Sequence, residues 1–123
     1  MRKFALVLLS GALALTTPAA QGHSALVTST PKSGAVIKTF PKTFSLTFNE
    51  EILKLPGKEP SRLQLIAPGA KRISLGKVVI AKEVLTVPMS KAVVKAGKYR
   101  LTYRVVSNDG HVINGEISFT YKP

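Results

Sequence analysis

Residues 99–121 read YRLTYRVVSNDGHVINGEISFTY, and the fold follows from this stretch. In its first half Tyr99, Leu101, Tyr103 and Val105 share one face, while Arg100, Thr102 and Arg104 share the other. In its last third Ile117, Phe119 and Tyr121 oppose Glu116, Ser118 and Thr120. An apolar/polar alternation with a period of two, in β-branched and aromatic residues, is the pattern of a strand with one buried face. Between the halves lies Ser107-Asn108-Asp109-Gly110-His111, whose Asn-Asp-Gly core is a turn signal. The stretch therefore predicts two strands joined by a polar connection.

Working outward, the same criterion predicts seven strands in all, at about 25–30, 44–48, 62–66, 73–80, 84–87, 99–106 and 116–121. Phe44, Leu46 and Phe48 repeat the alternation most cleanly. Pro31, Gly34, Pro41, Pro56-Gly57, Pro68-Gly69, Pro88 and Gly97 punctuate the intervals. No stretch sustains a capped helical period; residues 91–95 have room for one turn at most. Short strands with regular turns predict an all-β domain, a sandwich or a small Greek-key barrel. No internal repeat, low-complexity tract or linker divides it.

The N-terminus reads differently. Arg2 and Lys3 precede an apolar run from Phe4 to Leu15, interrupted only by Ser10 and Gly11, and then Thr16 to Gly22. This is the layout of a secretory signal peptide, and the run is shorter than the roughly 20 residues that span a bilayer. Ala20 and Gly22 are the small residues that a cut before His23 requires; a cut after Ala20 is the alternative, disfavoured by Pro18. The expected organisation is a signal peptide over 1–22 and one domain over 23–123, whose first residue is histidine. No second apolar stretch follows, so a soluble mature chain is expected.

The chain has 18 Lys and Arg against 6 Asp and Glu, a formal charge of +12; removing Arg2 and Lys3 leaves +10. The lysines are scattered rather than gathered in a stripe, and export argues against nucleic acid as a partner. The charge reads mainly as a solvated surface. There is no cysteine, so disulfides and thiolate metal sites are excluded.

Chemistry concentrates at two histidines. His23 would carry a free amine whose nitrogen, with the imidazole Nδ1, closes a chelate ring. Asp109 and His111 stand two apart, and in an extended segment such positions project to one side. Gly110 between them lets the backbone bend. Three nitrogens and a carboxylate oxygen suit the tetragonal preference of Cu(II); Zn(II) can use the same donors in a tetrahedron. A surface histidine beside an ordinary Asn-Asp-Gly turn is the plain alternative, and nothing in the spacing joins residue 23 to residue 111.

The chain resembles the CopC/YobA family of exported copper-resistance and copper-homeostasis proteins. The residues that carry the resemblance are His23-Ser24-Ala25-Leu26-Val27, Ser29-Thr30-Pro31-Lys32-Ser33-Gly34, Pro41, Leu46-Thr47-Phe48-Asn49-Glu50, the run from Gly97 to His111, and Gly115. The resemblance implies an immunoglobulin-like Greek-key sandwich. It implies one Cu(II) per chain, held by His23, Asp109 and His111, with Glu50 as a weaker or supporting participant. It also implies a periplasmic location and a separate membrane copper transporter as partner. Some relatives add a methionine-rich loop for Cu(I). Here the methionines are Met1 and Met89 alone, which cannot form a soft-donor cage. Val112 stands where the family often has proline, and Tyr103 where it often has tryptophan.

The function expected is Cu(II) sequestration or delivery, without catalysis. Two alternatives come from other classes. One is a copper-dependent redox enzyme with a site like a histidine brace. The other is a basic module that binds anionic polymers through charge alone.

Overall fold

The computed structural model describes residues 25–123. The segment read as a signal peptide, and His23 with it, lies outside the described residues.

Nine strands run β1 (Leu26–Thr30), β2 (Ala35–Ile37), β3 (Thr43–Phe48), β4 (Arg62–Ala67), β5 (Lys71–Ile73), β6 (Val79–Ala81), β7 (Val84–Pro88), β8 (Gly97–Val106) and β9 (Val112–Tyr121). No helix forms among the described residues. One sheet has the order β1-β3-β7-β6, the other β2-β9-β8-β4-β5. All pairings are antiparallel except β2 with β9. The architecture is a β-sandwich of immunoglobulin-like Greek-key type.

The alternation in the sequence puts one face of each long strand inside. Tyr99, Leu101, Tyr103 and Val105 of β8 face inward, as do Ile117 and Phe119 of β9 and Phe44, Leu46 and Phe48 of β3. Fully burying one such side chain contributes roughly 1.5–3 kcal/mol. Aromatic rings gather at one end of the core. Tyr99 stacks on Phe119 with centroids 5.4 Å apart, and Phe40 meets Phe44, Tyr99, Phe119 and Tyr121 edge-on. At the other end Phe48 packs against Tyr103 at 5.7 Å.

Three expectations differ from what the chain does. Residues 73–80 are not one strand. β5 lies in the second sheet and β6 in the first, with the chain crossing between them. Gly76 makes the crossing possible: its N–H donates to the Pro88 carbonyl at 2.7 Å, and a Cβ there would stand 2.6 Å from Pro88 Cγ. The last strand begins at Val112 rather than Glu116, because Gly115 pairs with Tyr103 and leaves room for its ring. The short β2, paired in parallel on the end of β9, is an added strand.

The site depends on which end each strand leaves. β8 runs from the aromatic end to the opposite end, and β9 returns. β3 ends beside the β8–β9 connection, and so does the turn between β6 and β7.

Candidate metal centre

The connection 107–111 closes immediately beyond the pair Val106–Val112. The Ser107 N–H donates to the His111 carbonyl at 2.8 Å, and the Gly110 N–H donates to the Ser107 carbonyl at 2.9 Å. Gly110 sits at φ +87°, a left-handed conformation that glycine adopts without penalty. The Ser107 side chain is fully buried. Its Oγ donates to Asp109 Oδ1 at 2.6 Å and accepts from the His111 backbone N–H at 3.2 Å. Asp109 and His111 are thereby brought together, with His111 Nδ1 3.4 Å from Asp109 Oδ2. They meet because the backbone turns, not because an extended segment points both one way, as the spacing alone suggested.

A second element completes the cluster. After β3 the chain is stitched on both sides. The Phe48 and Ile52 N–H groups donate to the Glu83 and Lys82 carbonyls. The Leu53 N–H donates to Val106, and the Asn108 N–H returns a bond to Glu51. Glu50, inside this stitched loop, stands beside the turn. One donor atom from each of Glu50, Asp109 and His111 lies within 4.8 Å of the others. That spacing brings two carboxylates and an imidazole within reach of a single cation.

The start of the described chain is fastened to the same place. The Ala25 N–H donates to Asn49 Oδ1 at 2.7 Å, and the Asn49 N–H donates to the Ala25 carbonyl at 3.0 Å. Asn49 immediately precedes Glu50.

Asp109 and His111 keep 60% and 51% of their side-chain surface exposed, so their ion pair alone adds little stability. The Ser107 hydroxyl, donating at 2.6 Å, holds the Asp109 carboxyl below the usual carboxylate range. Asp109 is therefore ionised and ready to accept a cation across the neutral range. Glu51 and Glu83 share the same shallow depression with Glu50 and Asp109, so four of the chain's six acidic residues crowd one end of a strongly basic protein. Such a concentration draws cations toward the cluster. Oxygen and imidazole donors without sulfur suit Cu(II) or Zn(II) rather than Cu(I).

Of the four residues expected at a site, the structure unites Asp109, His111 and Glu50, and His23 lies outside the described residues. Glu50, expected only through the resemblance, contributes a donor atom to the cluster on the same footing as the other two. The sequence reading missed Ser107 and Asn49. A serine two residues before an aspartate, at the mouth of an Asn-Asp-Gly turn, is a recognisable local hydrogen-bonding pattern and was the available signal for Ser107. Asn49 left no comparable signal, since its partner is 24 residues away.

Comparison with known proteins matches residues 26–122 to the CopC domain. The copper resistance protein C of Xanthomonas campestris pv. juglandis is 31% identical, over 98% of this chain and 97% of its own length. The protein of the same name from Pseudomonas syringae pv. tomato is 29% identical over 99% and 98%. Among solved structures, CopC from Methylosinus trichosporium OB3b superposes with a TM-score of 0.67 at 26% identity, covering 82% of this chain and 95% of that one. PcoC, a copper resistance protein from Escherichia coli, shares the fold with a TM-score of 0.64 at 24% identity, over 80% and 99%.

Proposed function

This chain belongs to the CopC domain family, and from that premise we propose that it is an exported, periplasmic protein that binds one Cu(II) ion for copper homeostasis or resistance. The observation that carries the proposal is the convergence of Glu50, Asp109 and His111 within 4.8 Å at one end of the sandwich. His23, freed as the N-terminal residue by removal of residues 1–22, supplies an amine and an imidazole. The tether of Ala25 to Asn49 supports this role. Two residues of extended chain reach at most about 7 Å, so His23 starts from an anchor next to Glu50.

His23 and His111 then give three nitrogens and Asp109 an oxygen, a set that fits a tetragonal Cu(II) plane. Glu50 stands where it can take a further position or steady a ligand. The donors face solvent, which favours a protein that takes up and releases a cargo over one that encloses a reaction. Copper is carried rather than used, and the protein acts as a binding protein rather than an enzyme. Among the described residues no helix is long and apolar enough to cross a membrane, and the proposed partner is a separate membrane copper transporter. One of the PcoC structures describes that protein as methionine rich. This chain has Met1 and Met89 only, and Met89 packs against the core. No Cu(I) site is expected.

Competition titration of the exported protein against a Cu(II) chelator tests the proposal. One tightly held Cu(II) per chain is expected, with a large loss in His111→Ala. Unchanged affinity in His111→Ala would overturn the site. Retention of Cu(I) against a Cu(I) chelator would overturn the exclusion of Cu(I).

A further inference from the structure

The end of the sandwich opposite the metal cluster has the reverse charge. A cleft there is floored by Ala67, Ile73 and Tyr99 and rimmed by Lys71, Arg72, Lys91 and Lys95. Strand pairing carries Lys42, Lys98 and Lys122 to the same end. None of the chain's six acidic residues lies there: Glu50, Glu51, Glu83 and Asp109 sit at the metal end, Glu59 lies in the loop before β4, and Glu116 pairs with Arg100 along the sheet.

The loop 89–96 that forms one wall is held in place. The Tyr99 hydroxyl, at the edge of the aromatic cluster, donates to the Lys95 carbonyl at 2.6 Å and accepts from the Lys95 N–H at 3.0 Å. At the outer side of this loop Val93 is 90% exposed, flanked by Lys91 and Lys95.

We propose that this basic end docks on an anionic phospholipid surface, with Val93 entering the headgroup boundary and the surrounding lysines meeting lipid phosphates. Three features favour a bilayer over an acidic protein. The cations spread across a whole end rather than converging on one point. They are almost all lysines, point charges that suit a smeared field, whereas directed carboxylate recognition favours the arginine fork. Val93, exposed between Lys91 and Lys95, puts an apolar side chain at the centre of cations that can meet lipid phosphates. Docked this way, the protein holds its metal cluster about 30 Å away, the length of ten-residue β8, and open to solvent. The surface is separate from the metal site, so the two ideas stand or fall independently.

The test is sedimentation of the exported protein, its N-terminus verified by mass, with vesicles of phosphatidylethanolamine and phosphatidylglycerol or of phosphatidylcholine alone. Retention on the anionic vesicles only, weakened by salt, is expected. Lys91→Glu with Lys95→Glu should weaken it by roughly tenfold or more, and Val93→Asp by roughly fivefold. Lys54→Glu with Lys58→Glu changes net charge equally but lies elsewhere, and should leave binding nearly intact. Copper titration should be the same in all these variants. Equal retention on phosphatidylcholine, equal loss in the two double variants, or an unaffected Val93→Asp would overturn the proposal. Capture by soluble polyglutamate without retention on vesicles would replace the bilayer with an acidic polymer and overturn it as well.

Discussion

The hydroxyl of Ser107 donates to Asp109 and accepts from the His111 backbone, so one buried atom sets the positions of two candidate ligands. Ser107→Ala should destabilise the fold by about 1–3 kcal/mol, because it strips partners from groups that fold around it. It should also weaken Cu(II) binding without removing any donor; denaturant unfolding and chelator competition read the two effects. The same bond governs titration. Asp109 should titrate below the ordinary carboxylate value by NMR, and Ser107→Ala should move it upward. The sign follows from a folded-state pKa below the unfolded one. The contribution of ionised Asp109 to stability is present above the unfolded value and is lost as pH falls through the lowered folded value. A midpoint unmoved by Ser107→Ala would show that this bond does not hold the carboxylate. Among the ligands, His111→Ala should reduce copper affinity more than Glu50→Ala, since nitrogen donors define the Cu(II) plane. Equal losses would make Glu50 a primary ligand, consistent with its closeness to the other two donors.

At the level of strands, β9 places Gly115 directly opposite Tyr103 of β8. A Cβ on Gly115 would stand 2.5 Å from Tyr103 Cζ, in a ring that is only 9% exposed and packed against Phe48. Gly115→Ala should therefore destabilise by about 1–3 kcal/mol in thermal or denaturant unfolding. A stability equal to the parent's would mean the ring moves freely. This pair also explains what the sequence made visible. Tyr99 to Val105 and Glu116 to Tyr121 alternate strictly, so their strand character is explicit. Val112 to Gly115 does not alternate and contains a glycine, so the start of β9 is hidden until Tyr103 is seen across from it. Residues 73–80 look like one strand because Ile73, Leu75, Val78, Val79 and Ile80 are apolar. The strand pairing shows that the chain changes sheets there, with Gly76 packed against Pro88 at the crossing. β2 is three residues long and owes its existence to β9, a tertiary effect with no local pattern. Asp109 and His111 were legible from their spacing of two, although a turn and not an extended segment brings them together. Glu50 was reached through family resemblance, since the hydrogen bonds that bring it to the turn come from residues scattered between 48 and 108.

Over the whole molecule, charge is divided between the two ends of the sandwich. Acidic residues gather around the candidate copper ligands, and the far end is lysine-rich and carries no acidic side chain. The division gives a cation and an anionic surface separate places to bind on a domain of modest size. In the proposed site the donors at the acidic end are completed by the amine of His23, the residue two positions before the tethered Ala25. Extending the chain by one glycine before His23 converts that amine to an amide and leaves the described fold untouched. Chelator-competition titration of the processed protein and the extended form, across neutral and mildly acidic pH, measures the amine's part. If the amine is a ligand, the titration gives one Cu(II) per processed chain, an affinity that falls as protons compete for the nitrogens, and an extended form weaker by more than about a hundredfold, beyond the ten- to hundredfold effect of losing a group that only supports a ligand. An extended form that binds Cu(II) as tightly as the processed protein would contradict that assignment.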